Sequence, residues 1–268
     1  MTNTMKFTIL GCGSSPGVPR PNGDWGACDA KNNKNKRTRT ALLIERILGN
    51  KKTTVVIDTG PDFREQMIRS EVKEIDAIIY THAHADHIHG IDDVRTFTIQ
   101  KKSLLDVYAD KHTFERLYDA FGYCFKTPVG SSYPPILKAN EIKENNSFEI
   151  NGEGGSVPFL PFLQQHGDIH SMGFRIGNVA YCTDVNRFLD GTAEKLQNLD
   201  VFIIDTLQYK THPSHFSLDE ALEWVSTLKP KRTILTHMHL PMDYQTVLHE
   251  TPENVEPAYD GLNFSIDL

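Results

Sequence analysis

Residues 80–90 read Tyr-Thr-His-Ala-His-Ala-Asp-His-Ile-His-Gly, directly after the strand-like run Asp76–Tyr80. At this chain's own His and Asp frequencies, H-x-H-x-D-H would arise by chance in about two of a thousand such chains, so the segment calls for a mechanism. In an extended exit from a strand, His82 and His84 point the same way, and Asp86 and His87 follow in the turn. Four ligands from so short a segment cannot all bind one ion without strain. They divide naturally between two adjacent ions. Imidazole and carboxylate donors suit Zn²⁺, Mn²⁺ or Fe, and the lack of a thiolate leaves that choice open.

The rest of the chain reads as a soluble globular protein of 268 residues, 39% hydrophobic and 24% charged. These values exclude collagen-like and largely disordered chains. No apolar run approaches the roughly 18–20 residues that span a bilayer. The opening segment, Met1 to Gly13, has one lysine and a short apolar stretch, Phe7–Leu10, that breaks into glycine. It is expected to be the first strand of a cytoplasmic protein rather than a signal peptide. The four cysteines, Cys12, Cys28, Cys124 and Cys182, are far apart and signal neither a disulfide framework nor a zinc ribbon. No repeat or linker-like stretch divides the chain, so residues 1–268 are expected to form one domain.

Apolar runs rich in β-branched residues predict strands at Lys6–Leu10, Ala41–Ile47, Thr53–Ile57, Ala77–Tyr80, Leu105–Tyr108, Gly173–Ile176, Val179–Cys182, Val201–Ile204 and Thr233–Leu235. Helical patterns cover Asp62–Ser70, Thr113–Phe121 and Ser217–Leu228, the last with Ser217 and Glu220 placed as a capping box. Strands interspersed with a few helices predict an α/β layered domain with mixed sheets. Gly11–Lys36 is a long polar loop, of a length that is usually functional or mobile.

Two adjacent ions need further ligands. His166, in Gln-Gln-His-Gly, follows the apolar Val157–Leu163; Asp184 ends Val179-Ala-Tyr-Cys-Thr-Asp; His237 ends Thr233-Ile-Leu-Thr-His. Each stands at the end of a β-like run, where α/β sheets gather functional groups.

The set Asp58-Thr-Gly, His82-x-His84-x-Asp86-His87, His166-Gly, Asp184 and Thr236-His237 resembles the metallo-β-lactamase superfamily, in that family's order and over nearly the whole chain. The resemblance implies a four-layer αββα sandwich with two divalent ions, Zn²⁺ or Mn²⁺, at one sheet edge. It implies that His82, His84 and His166 hold the first ion, that Asp86, His87 and His237 hold the second, and that Asp184 bridges. Ile9-Leu-Gly-Cys-Gly-Ser-Ser-Pro-Gly-Val-Pro, Arg37-Thr-Arg39, His212-Pro-Ser-His215-Phe-Ser and Ile234-Leu-Thr-His are similar to the branch of the cyclic phosphodiesterase of bacterial phosphonate breakdown. The tRNA 3′-processing endonucleases are a more distant match. In that branch the histidine matching His215 is the proton donor to the leaving group, so His215 and the ligand Asp86 are the catalytic candidates. One departure stands out: the branch's third, structural zinc needs a cysteine cluster in the first loop and a histidine where this chain has Leu240. With Cys28 alone, that zinc is expected to be absent.

The function expected from these readings is hydrolysis of a small cyclic phosphate or nucleotide diester by a hydroxide shared between two ions. A net charge of -7 and the lack of a basic insertion oppose long nucleic acid as substrate, and nothing suggests a membrane partner. A homodimer stays open. Competing readings are a thioesterase or lactonase of the glyoxalase II type, a tRNA 3′-processing endonuclease, and a non-catalytic nucleotide-binding protein. Among weaker residues, Asp58 is expected to orient ligand histidines, and His89 and His239 to hydrogen-bond beside the ligands. His212 stays open as a partner of His215. Arg37, Arg39, Arg64 and Arg175 could each meet a phosphate or be structural.

Overall fold

The computed structural model describes residues 3–268, so Met1 and Thr2 of the opening segment lie outside the described residues. The first sheet takes β1 (Asn3–Gly11), β2 (Ala41–Leu48), β3 (Lys51–Ile57), β4 (Ala77–Ile79), β5 (Leu105–Ala109) and β6 (Leu137–Glu141) in sequential spatial order. The second is built from β7 (Phe148–Gly152), β8 (Gly155–His166), β9 (Ile169–Ile176), β10 (Val179–Cys182), β11 (Arg187–Phe188), β12 (Val201–Asp205), β13 (Arg232–Thr236) and β14 (Val255–Pro257). The last strand, β15 (Asn263–Asp267), returns to the first sheet and pairs antiparallel with β1.

Each sheet has an antiparallel half followed by a parallel half. β1 to β3 and β8 to β10 form meanders, whereas β3 to β6 and β10, β12, β13 and β14 run parallel. Parallel neighbours require crossovers, which helices provide. In the first half these are α1 (Phe63–Arg69), α2 (Ala85–Ile88), α3 (Arg95–Lys101) and α4 (Lys111–Phe125); in the second they are α5 (Thr192–Lys195), α6 (Leu218–Leu228) and α7 (Tyr244–Glu250).

The period of two along a strand decides what each face meets. On β2, Leu42 and Ile44 join the core between the sheets with Phe159 and Phe174, whereas Ala41 and Leu43 pack with Phe63 and Met67 of α1. Both faces are therefore apolar, which is what a sheet covered on both sides requires. Each fully buried phenylalanine contributes about 2–3 kcal/mol by leaving water. Helix α6 buries Leu218, Ala221, Val225 and Leu228, at the spacing of one helical face. It starts as the sequence predicts: the Ser217 side chain accepts from the Glu220 amide, and the Glu220 carboxylate accepts from the Ser217 amide at 2.8 Å. The result is the four-layer αββα sandwich, two mixed sheets between helices. Among the described residues, no helix is long and apolar enough to cross a membrane.

Candidate metal centre

The parallel halves of the two sheets aim their C-terminal strand ends at one edge, and the chemistry-bearing residues stand there. Asp58 follows β3, Thr81 and His82 follow β4, His166 ends β8, Asp184 lies two residues past β10, Asp205 ends β12, and His237 follows β13. Three of them turn sharply off their strands in the left-handed region, with φ of 66° at Asp58, 52° at Asp184 and 58° at His237. Non-glycine residues tolerate this only where surrounding contacts hold them, at a cost of order 1 kcal/mol each, and such strain clusters at functional sites.

The seven residues expected to be ligands are brought together. Donor atoms of His82, His84, His166 and Asp184 lie within 4.8 Å of one another, as do those of Asp86, His87, Asp184 and His237. Asp184 belongs to both sets. Its Oδ1 is 3.2 Å from His87 Nε2, and its Oδ2 is 3.4 Å from His237 Nε2, 3.7 Å from His166 Nε2 and 3.8 Å from His82 Nε2. Asp86 and His87, expected in the turn after the strand, sit on the single helical turn of α2. There Asp86 Oδ2 lies 3.5 Å from His87 Nε2 and 3.7 Å from His237 Nε2.

Hydrogen bonds behind the cluster fix which ring nitrogen faces it. Asp58 accepts from the Thr81 amide (2.9 Å), the Thr81 hydroxyl (2.8 Å) and His87 Nδ1 (2.7 Å). Because the single hydroxyl hydrogen of Thr81 goes to Asp58, Thr81 Oγ1 accepts from His82 Nδ1 at 3.0 Å. His166 Nδ1 donates to the Ser214 carbonyl at 2.7 Å. In all three rings the proton sits on Nδ1, and Nε2 turns a lone pair to the cluster. Nε2 of His82, His87 and His237 is buried with no hydrogen-bond partner. Buried acceptors without a donor are costly unless a cation takes that place, so the donor set fits divalent metal ions. Gly60 allows the support to come close: a Cβ there would lie 2.1 Å from the Asp86 carbonyl oxygen.

Electrostatics agree. Burial opposes ionisation of Asp184, but the imidazoles of His237 and His87 outweigh it and hold its carboxyl well below the usual range. Burial and the neighbouring His87 push His82 well down. Burial works against a charge on His87 as well, yet Asp184, Asp58 and Asp86 together raise it. A field that favours a proton on a buried imidazole favours a dication more strongly. Removing one support should be felt at the metal: Asp58→Asn is expected to keep the fold while weakening metal affinity about 10- to 100-fold, read by competition against a chelating dye.

Sequence reasoning missed Asp205. This fully buried carboxylate accepts from His215 Nδ1 at 2.7 Å and from the Val185 amide at 2.8 Å, and its Oδ1 lies 3.8 Å from His237 Nδ1. The signal was available, since Asp205 ends an apolar strand as Asp184 nearly does. His215 stands just before α6, its ring 4.7 Å from that of His166 and stacked at 4.6 Å on that of His237. Burial disfavours its imidazolium, but the charge and hydrogen bond of Asp205 outweigh this and push it up to about 9.

The weaker candidates separate. His212 accepts from the Ser214 amide at 3.3 Å, with its ring 5.3 Å from that of His215. His239 has both ring nitrogens engaged, by Ser14 and Arg20, each at 2.8 Å. His89 is exposed, its ring edge-on to Phe121. In the first loop, Cys28 packs with Val18, Leu240 and Trp25, its thiol donating to the Leu240 carbonyl. An apolar plug thus joins the loop to the segment after His237.

Comparison with known proteins adds the family. Residues 53–238 match the model of the Beta-lactamase superfamily domain. A solved structure described as a new diphosphatase from the PhnP family is 32% identical, covers 100% of this chain and 99% of its own, and superposes with a TM-score of 0.88. An octanoyltransferase of Porphyromonas gingivalis is 32% identical over 268 residues, 98% of this chain but 52% of the relative. The exodeoxyribonuclease WalJ of Streptococcus pneumoniae is 24% identical over 173 residues, 63% of this chain and 55% of that one. The chain thus spans about half the length of these curated relatives. With ligand order, layered fold and family model in agreement, the chain belongs to the metallo-β-lactamase superfamily of metal-dependent hydrolases.

Proposed function

We propose that this protein is a dinuclear phosphodiesterase that hydrolyses small nucleotide-type esters, with Zn²⁺ or Mn²⁺ as its metal. The observation that carries this reading is His215, hydrogen-bonded to Asp205 at 2.7 Å and packed on rings from both ligand sets. A buried acid beside a metal cluster is what an ester with a poor leaving group needs. His82, His84 and His166 would hold one ion, Asp86, His87 and His237 the other, and Asp184 both. Bound divalent ions lower the pKa of water toward neutrality and offset negative charge on a phosphate. The protein's own part is to fix the ligand rings through Asp58, Thr81 and the Ser214 carbonyl, and to deliver a proton from His215 to the departing oxygen. Asp205 keeps that proton on His215.

The PhnP-family neighbour, described as a diphosphatase, and the relative described as an exodeoxyribonuclease both support reaction at phosphorus. A net charge of -7 argues for a small substrate over long nucleic acid. A second reading, hydrolysis of an acyl thioester, takes its support from the relative described as an octanoyltransferase. One panel separates them: bis-p-nitrophenyl phosphate, an acyl thioester and a lactone, each with and without added Zn²⁺ or Mn²⁺. Metal-dependent turnover of the phosphate diester is the expected result. Efficient turnover of the thioester with none of the diester would overturn the assignment.

A further inference from the structure

The loop between β12 and α6 carries His215 with no backbone ladder to hold it. Its two ends are closed: the Leu207 amide donates to the Phe216 carbonyl at 2.9 Å, and the Leu218 amide to the Gln208 carbonyl at 2.9 Å. Between them, residues 209–215 make no backbone-to-backbone hydrogen bond among the described residues. Side chains set the conformation of this stretch instead. His212 Nδ1 lies 3.3 Å from the Ser214 amide nitrogen and 3.2 Å from Ser214 Oγ, and among the described residues these two Ser214 groups have no other hydrogen-bond partner. Pro213, between the two residues, fixes its own φ and biases His212 toward extended backbone, so the turn is partly set before the hydrogen bonds form.

The tautomer of His212 follows from its partner. A backbone amide can only donate, so Nδ1 of His212 is the acceptor and carries no proton. Burial and the neighbouring His215 push His212 down, which keeps the ring neutral, and its one proton is then on Nε2.

Ser214 turns its carbonyl to the ligand cluster, where it accepts from His166 Nδ1 at 2.7 Å. The two segments are in close contact there, since a Cβ on Gly167 would meet Ser214 Cβ at 3.0 Å. His215 is the next residue, and its Nδ1 donates to Asp205 at 2.7 Å. The Ser214–His215 peptide thus supports a candidate ligand through its carbonyl and leads directly into the proton donor. Asp205 fixes it on the His215 side. On the Ser214 side, the fixed point is His212.

We propose that His212 is a positioning residue: by accepting from Ser214 it holds the Ser214–His215 peptide in the orientation that supports His166 and places His215 beside the cluster. The hold on His166 stands on geometry, whereas its consequence for turnover rests on the phosphodiesterase reading above. The competing role is a direct contact between His212 Nε2 and substrate. Substitution separates the two, because asparagine puts its oxygen near the place of Nδ1, whereas glutamine puts its amide nitrogen near the place of Nε2.

The test compares wild type with His212→Ala, His212→Asn and His212→Gln. Loss of a neutral hydrogen bond is worth about 2- to 10-fold, so His212→Ala is expected to weaken Zn²⁺ affinity by that factor, read by competition against a chelating dye. The zinc-loaded variant should lose kcat on an alkoxide-leaving ester by a similar factor with KM unchanged. His212→Asn is expected to recover both losses and His212→Gln neither. ¹⁵N NMR of wild type at neutral pH should find the His212 ring proton on Nε2, a readout that stands even if His212→Ala does not fold. A proton on Nδ1, recovery by glutamine but not asparagine, a rise in KM at unchanged Zn²⁺ affinity, or an alanine variant equal to wild type overturns the proposal. If wild type hydrolyses no phosphate ester, the phosphodiesterase reading falls, and the Zn²⁺ affinities and the NMR spectrum decide this proposal by themselves.

Discussion

Asp184→Asn is expected to strip both ions of the proposed dinuclear site and to abolish hydrolysis, while the fold survives. Asp184 belongs to both ligand sets, and its two oxygens together face four histidines. Losing a merely supporting hydrogen-bond partner costs about 10- to 100-fold in metal affinity, and losing a shared carboxylate should exceed that at both positions. Asparagine keeps the size of the side chain and a neutral oxygen, but it supplies no charge against two dications. The measurement is elemental analysis after purification without chelator, together with thermal melts of the metal-free protein titrated with Zn²⁺. Metal that binds only the native state raises the stability of wild type by about 2.7 kcal/mol at a hundred times its dissociation constant, and the variant should show no such response. Two ions per chain in the variant would remove Asp184 from the centre of the site. One ion retained, with the His82 set intact, would show that the positions fill independently.

The candidate ligand segment stood out because four metal-ligating side chains crowd into residues 82–87. Its local conformation did not. α2 is a single turn, too short for any periodic signal, and it is held by tertiary contacts: the Thr59 amide donates to the His87 carbonyl at 2.8 Å, and the Gly90 amide to Thr59 at 2.7 Å. Strand β8 is absent from the predicted strands and enters only as the apolar, β-like run Val157–Leu163, because Pro158 and Pro161 within that run weaken its strand signal. Both prolines nonetheless sit in register, opposite Glu149 and Phe174. Strand β15 is partly exposed along its length and lacks an apolar run, and only its pairing with β1 defines it. Asp205 and Thr81 escaped notice for a different reason: their roles are relations to other residues. A carboxylate closing an apolar strand is visible in the sequence, but that it meets His215 rather than solvent depends on how β12 and the start of α6 converge.

His215→Ala is expected to retain its metals yet slow esters that lose an alkoxide by about 10²–10⁴-fold, while p-nitrophenyl esters slow far less. The difference comes from the leaving group. An alkoxide leaves poorly unless protonated in the transition state, whereas p-nitrophenolate needs little help, so only the first substrate registers the loss of an acid. Equal slowing of both would assign His215 to packing on His166 and His237 rather than to proton transfer. Asp205→Asn tests the same assignment through pH. With Asp205 present, its charge outweighs the burial that disfavours the imidazolium and pushes His215 up to about 9. An acid works in its protonated form, so activity on alkoxide esters is present below that pKa and is lost as pH rises through it. Removing the carboxylate takes away the larger of the charges that oppose burial, leaving Asp184 alone against it, which lowers the pKa and draws the alkaline limb of kcat/KM to lower pH. A p-nitrophenyl ester, indifferent to the acid, should keep its alkaline limb in place. A limb that moves for both substrates would point instead to the carboxylates of the candidate metal centre, whose neighbour His237 has its Nδ1 3.8 Å from Asp205.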